Sequence, residues 1–278
     1  MDPIFPRELE REIFEIAAIG NRQHIPHLLL VCRRVHQWID PYLYRVVDTS
    51  DAMLVAAVKA KTDAFLKHTV RHLVVDFHHA EEDLVKALLF GCPDLQTLHF
   101  APDMHIDLLP ALDALQLKRL TMWVDNAFFP LSWASGSSML HRPMFLFITH
   151  LELNYDGGTT TEIALTWDEW THLASLPALT HLAFSEILAR YLLLPTLERC
   201  GRLRTVVALF GNMKEARAFV EDFPVITDPR MVAIAVTDLF DDWVRQARGE
   251  DDYWGRAEAF IARKRRGDIE ATRYLLED

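Results

Sequence analysis

At 278 residues the chain exceeds one average domain, yet a single elongated one is within reach. With half of its residues hydrophobic and a quarter charged it has globular proportions, which exclude an extensively disordered chain. A formal charge of -11 leaves no basic surplus to neutralise phosphates, so nucleic acid is excluded as the expected main partner.

The opening residues, MDPIFPRELEREIFEIAA, carry charge throughout and lack the uninterrupted apolar segment of a signal peptide. No stretch approaches the roughly 20 apolar residues needed to span a bilayer. Cys32, Cys92 and Cys200 are far apart and form no CxxC pair, which fits reduced thiols. The expectation is a soluble protein of the cytoplasm or nucleus with no membrane partner.

From Pro6 the residues Leu9, Ile13, Phe14, Ile16 and Ala17 recur at helical spacing, and Gly20 and Asn21 supply a stop. Pro6 suits a first helical turn, where its missing N–H would have had no partner. A second helix is expected from Ile25–Pro26 through Leu28–Val31. A third, carrying Val35, Trp38 and Ile39, should end before Pro41, because the residue preceding proline is pushed out of helical geometry.

Phe5-Pro6, Glu8-Leu9 and Glu12-Ile13-Phe14, followed by LLLVCRRVHQWIDPYLYRVV, resemble the F-box motif, with Phe5 standing where that pattern has leucine. The resemblance covers about residues 4 to 47. It implies docking on the Skp-type adaptor of a cullin ubiquitin ligase, with Ile4, Phe5, Pro6, Leu9, Ile13, Leu30, Val31 and Trp38 supplying adaptor contacts or the local core. The alternative is an ordinary three-helix cap on a larger fold. A dock leaves an apolar patch on these helices, whereas a cap buries it.

A further helix is expected from about Asp51 to Phe65. Beyond it the pattern apolar-x-x-apolar-x-apolar recurs, as in VRHLVV, LQTLHF, LKRLTM, ITHLEL and LTHLAF. Weaker copies occur at Leu203-Val206-Ala208 and Met231-Ile234-Val236. The central residues are 73, 98, 120, 151, 182, 206 and 234, at intervals of 22 to 31 residues, which bracket the leucine-rich-repeat period. EEDLVKALLFGCP, HIDLLPALDAL and LARYLLLPTLERCG read as intervening helices. One strand and one helix per repeat give an α/β solenoid with a parallel sheet. The whole chain thus resembles the leucine-rich-repeat F-box proteins of mushroom-forming fungi. Its expected organisation is a helical module over 1–49, an irregular repeat over 50–237 and a C-terminal helical cap over 238–278.

Alternation along the strands places the intervening residues on the concave face. The rows are His72, Val74, Asp76; Thr97, His99, Ala101; Arg119, Thr121, Trp123; His150, Glu152, Asn154; His181, Ala183, Ser185; and Thr205, Val207, Leu209. His72, His99, Arg119, Trp123, His150, Glu152 and His181 are the candidate contacts to a protein substrate. His72, His150 and His181 share one repeat position, so they are either a ladder that binds a partner pH-dependently or ordinary half-exposed strand residues. The apolar last row calls for a cover, which the C-terminal Leu239, Phe240, Trp243, Val244, Tyr253, Trp254, Ala257 and Phe260 can supply.

Catalytic patterns are weak. DFHHAEED, from Asp76 to Asp83, lacks an HExxH arrangement and reads better as an acidic helix start than as a metal site. Cys92 and Cys200 sit at repeat corners without an activating base. SGSS at 135–138 is no nucleophile elbow, and no phosphate-binding glycine loop is present. RKRRG at 263–267 suits a helix C-terminus. Trp133, Trp167 and Trp170, in long connections, are either interface anchors or core. No cofactor or metal is expected. An adaptor or a stand-alone interaction scaffold is favoured over a hydrolase.

Overall fold

In the computed structural model, residues 5–20, 24–76, 81–100, 108–124, 139–155 and 167–277 are described. Ile4, His78, His79, Ala101, Trp133 and the SGSS segment lie outside them.

Three helices open the chain: α1 (Arg7–Gly20), α2 (Ile25–Leu29) and α3 (Arg33–Leu43). Their common core is Ala18, Ile25, Val35 and Ile39, with Phe14, Leu28, Leu29 and Trp38 packed around it. α3 does not stop before Pro41 as expected but runs through it. Proline there removes one hydrogen bond near the helix end, and packing of the following turn outweighs that loss. Leu43 and Tyr44 join the main core, Tyr44 lying edge-on to Phe65 at 5.5 Å. Lys61 also reaches Asp40 at 2.7 Å.

The helix expected over 51–65 is two helices, α4 (Ala52–Lys59) and α5 (Asp63–Thr69). Each has its own start: the Asp51 carboxylate accepts from the Met53 and Leu54 N–H groups, and the Thr62 hydroxyl from Phe65 N–H. A side-chain oxygen that satisfies free N–H groups begins a new helix.

The remainder is a nine-stranded, wholly parallel sheet in sequential order: β1 (Val46–Asp48), β2 (His72–Val75), β3 (Thr97–Phe100), β4 (Arg119–Trp123), β5 (His150–Asn154), β6 (His181–Ser185), β7 (Thr205–Phe210), β8 (Met231–Ala235) and β9 (Leu275–Leu276). Helices α6 (Glu82–Gly91), α7 (Leu109–Ala114), α8 (Trp167–Trp170), α9 (Glu186–Arg199) and α10 (Met213–Asp222) lie between strands. The chain is therefore a helix–strand solenoid with helical segments at both ends.

The seven expected strands are all present, and β1 and β9 add one at each edge. Leu73, Leu98, Leu120, Leu151, Leu182 and Val206 lie side by side and form one apolar ladder. β8 departs from the expected phase: Val206 faces Met231, and Ile234 faces Leu209. Every residue from Met231 to Ala235 is apolar, so alternation did not mark its faces, and an odd shift exchanges them. Met231 joins the core under the helices, while Ile234 joins the opposite face.

Trp167 and Trp170 belong to the main core, Trp170 being fully buried, so these two are packing residues and not exposed anchors. Glu82 and Asp83 occupy the first turn of α6, and Lys86 pairs with Glu82 at 2.6 Å. No helix among the described residues is long and apolar enough to cross a membrane.

Two further helices, α11 (Leu239–Ala247) and α12 (Tyr253–Arg266), precede β9. Gly267 closes α12 with a left-handed φ of 80°. Nothing lies within 4 Å of the position a Cβ would take, so the backbone conformation alone requires glycine. Gly267→Ala is expected to destabilise by about 1 kcal/mol, read as a lower urea midpoint at unchanged slope.

Candidate partner-binding surfaces

Two surfaces follow from this fold: the outer face of the N-terminal helices and the concave face of the sheet.

On α1, residues Phe14 and Ala18 turn inward, whereas Leu9, Ile13 and Ile16 turn out. A short helix with two apolar faces buries one and presents the other. Leu30 is 84% exposed, Val31 56%, Phe5 53% and Ile13 52%. Of the expected adaptor-contact residues, Phe5, Pro6, Leu9, Ile13, Leu30 and Val31 are exposed, and Trp38 is half-buried as a brace between helices. Ile16 and Ile19 extend this apolar surface. Ile16 was legible from the Leu9–Ile13–Ile16 spacing. The arrangement is held by Arg34 of α3, which donates to Glu10 of α1 at 2.6 Å.

The concave face is different from expectation, because α11 and α12 lie across it. The expected C-terminal cover is more than an end cap. α12 buries Tyr253, Trp254, Ala257, Phe260 and Ile261 against Ala183, Val207, Leu209, Val232 and Ile234. α11 places Trp243 and Val244 on Val74 of β2. The last rows are apolar, and a chain end rich in aromatic residues removes that surface from water.

Each expected substrate contact has a place in this junction or at its rim. Glu152 is buried and accepts three hydrogen bonds: from Tyr253 Oη at 2.7 Å, Asn154 Nδ2 at 2.7 Å and Thr121 Oγ1 at 3.2 Å. Burial raises its pKa, and these donors oppose the rise. Arg119 pairs with Asp252, the residue that caps α12, at 3.2 Å. His150 and His181 stack at 4.0 Å between ring centres, with Trp254 edge-on to both at 5.3 and 5.7 Å. His181 Nε2 meets Glu258 Oε1 of α12 at 2.8 Å.

His99 is buried, its ring 5.0 Å from Trp243 and 6.3 Å from Phe240. His72 bonds Thr97 Oγ1 through Nδ1 at 2.9 Å, so the histidine ladder is a pair, His150–His181, and not a run of three. Trp123 stays half-buried at the far end of β4, beside Asn154. Burial is the main cause that lowers His72 and His99 to about 4 and His150 to about 2. These imidazoles are neutral near pH 7. They act as packing and hydrogen-bonding groups of the chain's own interior.

Along this face His99, Glu152 and His181 are covered by the chain itself, and Arg119 and His150 are engaged by α12. The residues that sequence reasoning missed are the covering ones, Asp242, Asp252 and Glu258; the last two meet partners far off in sequence, Arg119 and His181. Asp242 is buried and accepts from Tyr253 N–H and Arg256, both at 2.8 Å. A reactive role for Cys92 or Cys200 has no support here, since burial raises both to about 11, away from the thiolate.

No protein-family model matches the chain, and a comparison with curated proteins returns no match either.

Proposed function

We propose that the protein is a non-enzymatic adaptor of a Skp-cullin-F-box type ubiquitin ligase, in which α1 to α3 dock a Skp-type subunit and the rest of the chain holds a protein substrate. The exposed apolar face of Phe5, Leu9, Ile13, Leu30 and Val31 carries this reading. Such a patch on one side of a helical module marks an interaction surface. Its residues are the ones that the F-box resemblance assigns to the adaptor. The likeness of the whole chain to leucine-rich-repeat F-box proteins of mushroom-forming fungi supplies the substrate-holding role, with ubiquitin chemistry belonging to other subunits.

A cap-only role, as in a stand-alone repeat scaffold, accounts for the inner side of the module, where Tyr44 packs on Phe65. It leaves the outer side without a purpose. The two faces are separable by mutation. Leu30→Asp combined with Ile13→Asp is expected to weaken binding to a co-expressed fungal Skp adaptor by at least about 100-fold, since both anchors are lost from one patch. Thermal stability should change little, because both side chains already face water. Co-elution on size-exclusion chromatography and calorimetry read the binding. Undiminished binding by the folded double variant refutes the docking role.

A further inference from the structure

Helices α11 and α12 are attached to the sheet in different ways. α12 bonds the strands directly, through Tyr253 to Glu152 at 2.7 Å, Asp252 to Arg119 at 3.2 Å and Lys264 Nζ to the Met231 carbonyl at 2.8 Å. Among the described residues, the side-chain hydrogen bonds of α11 run within itself, to the Asp238 cap and to α12, through Asp242. Toward the sheet it offers packing alone: Phe240, Trp243 and Val244 form a small cluster on Val74, and Leu239 packs at the edge of the core under α12.

That packing is incomplete. His99 Nδ1 is buried next to Trp243 without a hydrogen-bond partner. A cavity of about 1020 Å³ opens on one flank of α11, between its Gln246–Ala247 turn and Ile19, Tyr42 and His72. A second, of about 440 Å³, lies between Val244, Arg248 and the Leu43–Leu54 side. Both clefts are open to water and flank the C-terminal half of α11, so a longer ligand in its place would bury lining that α11 leaves exposed.

We infer that α11 is a displaceable self-ligand, and that the groove over β2 and β3 which it occupies accepts an amphipathic helix from a protein partner. The chemistry of the partner is read from the helix now seated there: an aromatic, an aromatic three residues on and an aliphatic next to it, with carboxylates in the first turn, as in Phe240, Trp243, Val244, Asp241 and Asp242. Nine residues make a marginal helix in isolation, so α11 unwinds when it leaves. Gly249, at φ 78°, provides a joint before α12, which stays bonded to the strands. The groove adjoins the N-terminal helices but is distinct from their outer face, and the inference holds or fails independently of adaptor docking.

Hydrogen–deuterium exchange on the full chain tests the first half. Amides of Leu239–Ala247 are expected to exchange about 100-fold faster than those of Tyr253–Arg266, through an opening that leaves the rest folded. Exchange of both helices in step, at the rate of global unfolding, overturns the inference. For the second half, Phe240→Ser with Trp243→Ser vacates the groove in the full chain. A fluorescent peptide copying residues 238–249 is then expected to bind, and at least 10-fold more weakly when Val74→Asp is added. A double-serine variant that stays folded by near-ultraviolet circular dichroism yet binds no peptide overturns the inference. So does one that unfolds, since α11 would then be part of the core.

Discussion

Trp254→Ala is expected to destabilise the protein by about 3–5 kcal/mol, a large part of the roughly 5–15 kcal/mol that holds a typical domain together. Trp254 is 4% exposed at the start of α12, edge-on to the His150–His181 stack and 4.7 Å from the Tyr253 ring. Removing the indole opens a cavity between helix and sheet that neighbours cannot fill, because Ala183, Val207 and Ala257 are small and fixed by backbone. It also strips the apolar cover from two imidazoles that are neutral because they are covered. Urea denaturation with circular dichroism checks the value, and the thermal midpoint should fall by roughly 10 °C. A loss below about 1 kcal/mol would mean that α12 is a loosely attached appendage, and the contrast drawn between α11 and α12 would lose its basis.

What could be read from sequence here was what repeats. Leu73, Leu98, Leu120, Leu151 and Leu182 each sit in the same six-residue pattern, and each takes the same place in the sheet. Register follows such a pattern because one face is buried and the other is mixed. β8 had no such contrast, and its phase came out three residues away. β1 and β9 are too short, at three and two residues, to carry a period at all. The helix over 51–65 was split by Thr62, a cap signal present in the sequence but outweighed by the apolar run around it.

The candidate sites divide in the same way. The outward face of α1 is a local property of Leu9, Ile13 and Ile16, so spacing reveals it. The occupant of the concave face is a long-range property. The apolar row Thr205, Val207, Leu209 signalled that a cover was needed, and Trp243, Tyr253 and Trp254 signalled what could supply it. How far the cover reaches depends on pairs such as Glu152 with Tyr253, 101 residues apart, and no local rule specifies them. Concavity and polar residues alone were therefore a poor guide to an open surface. Polar side chains on a repeat strand become interior groups as soon as another segment brings matching donors.

Those interior groups make acid the condition to which the junction should be most sensitive. His72, His99 and His150 all have folded-state pKa values below the ordinary 6.5, at about 4, 4 and 2, burial being the largest cause in each. Below pH 6.5 the unfolded chain then binds more protons than the folded one, so stability is full above that pH and falls as the pH drops toward 4. Between pH 7.5 and 5 each such histidine accounts for about 2 kcal/mol, and the three together for about 4–6 kcal/mol after allowance for the partial exposure of His72 and His150. Glu152 and Asp242 work against this nearer the carboxylate range. Burial, the first cause in both, raises their pKa values, so the folded state takes up their protons first and gains stability as pH falls through that window. The expected result is near-constant stability down to about pH 6.5 and a loss that steepens below it toward pH 4, offset in part at the acid end by the two carboxylates. Urea midpoints taken across this range check it, and His99→Phe should recover about 2 kcal/mol of the loss, since a phenyl ring fits between Phe240 and Trp243 and cannot be protonated. Equal pH slopes for the variant and the parent would show that His99 stays in contact with water. In that case α11 would stand open at rest, and the groove beneath it would already be free to bind.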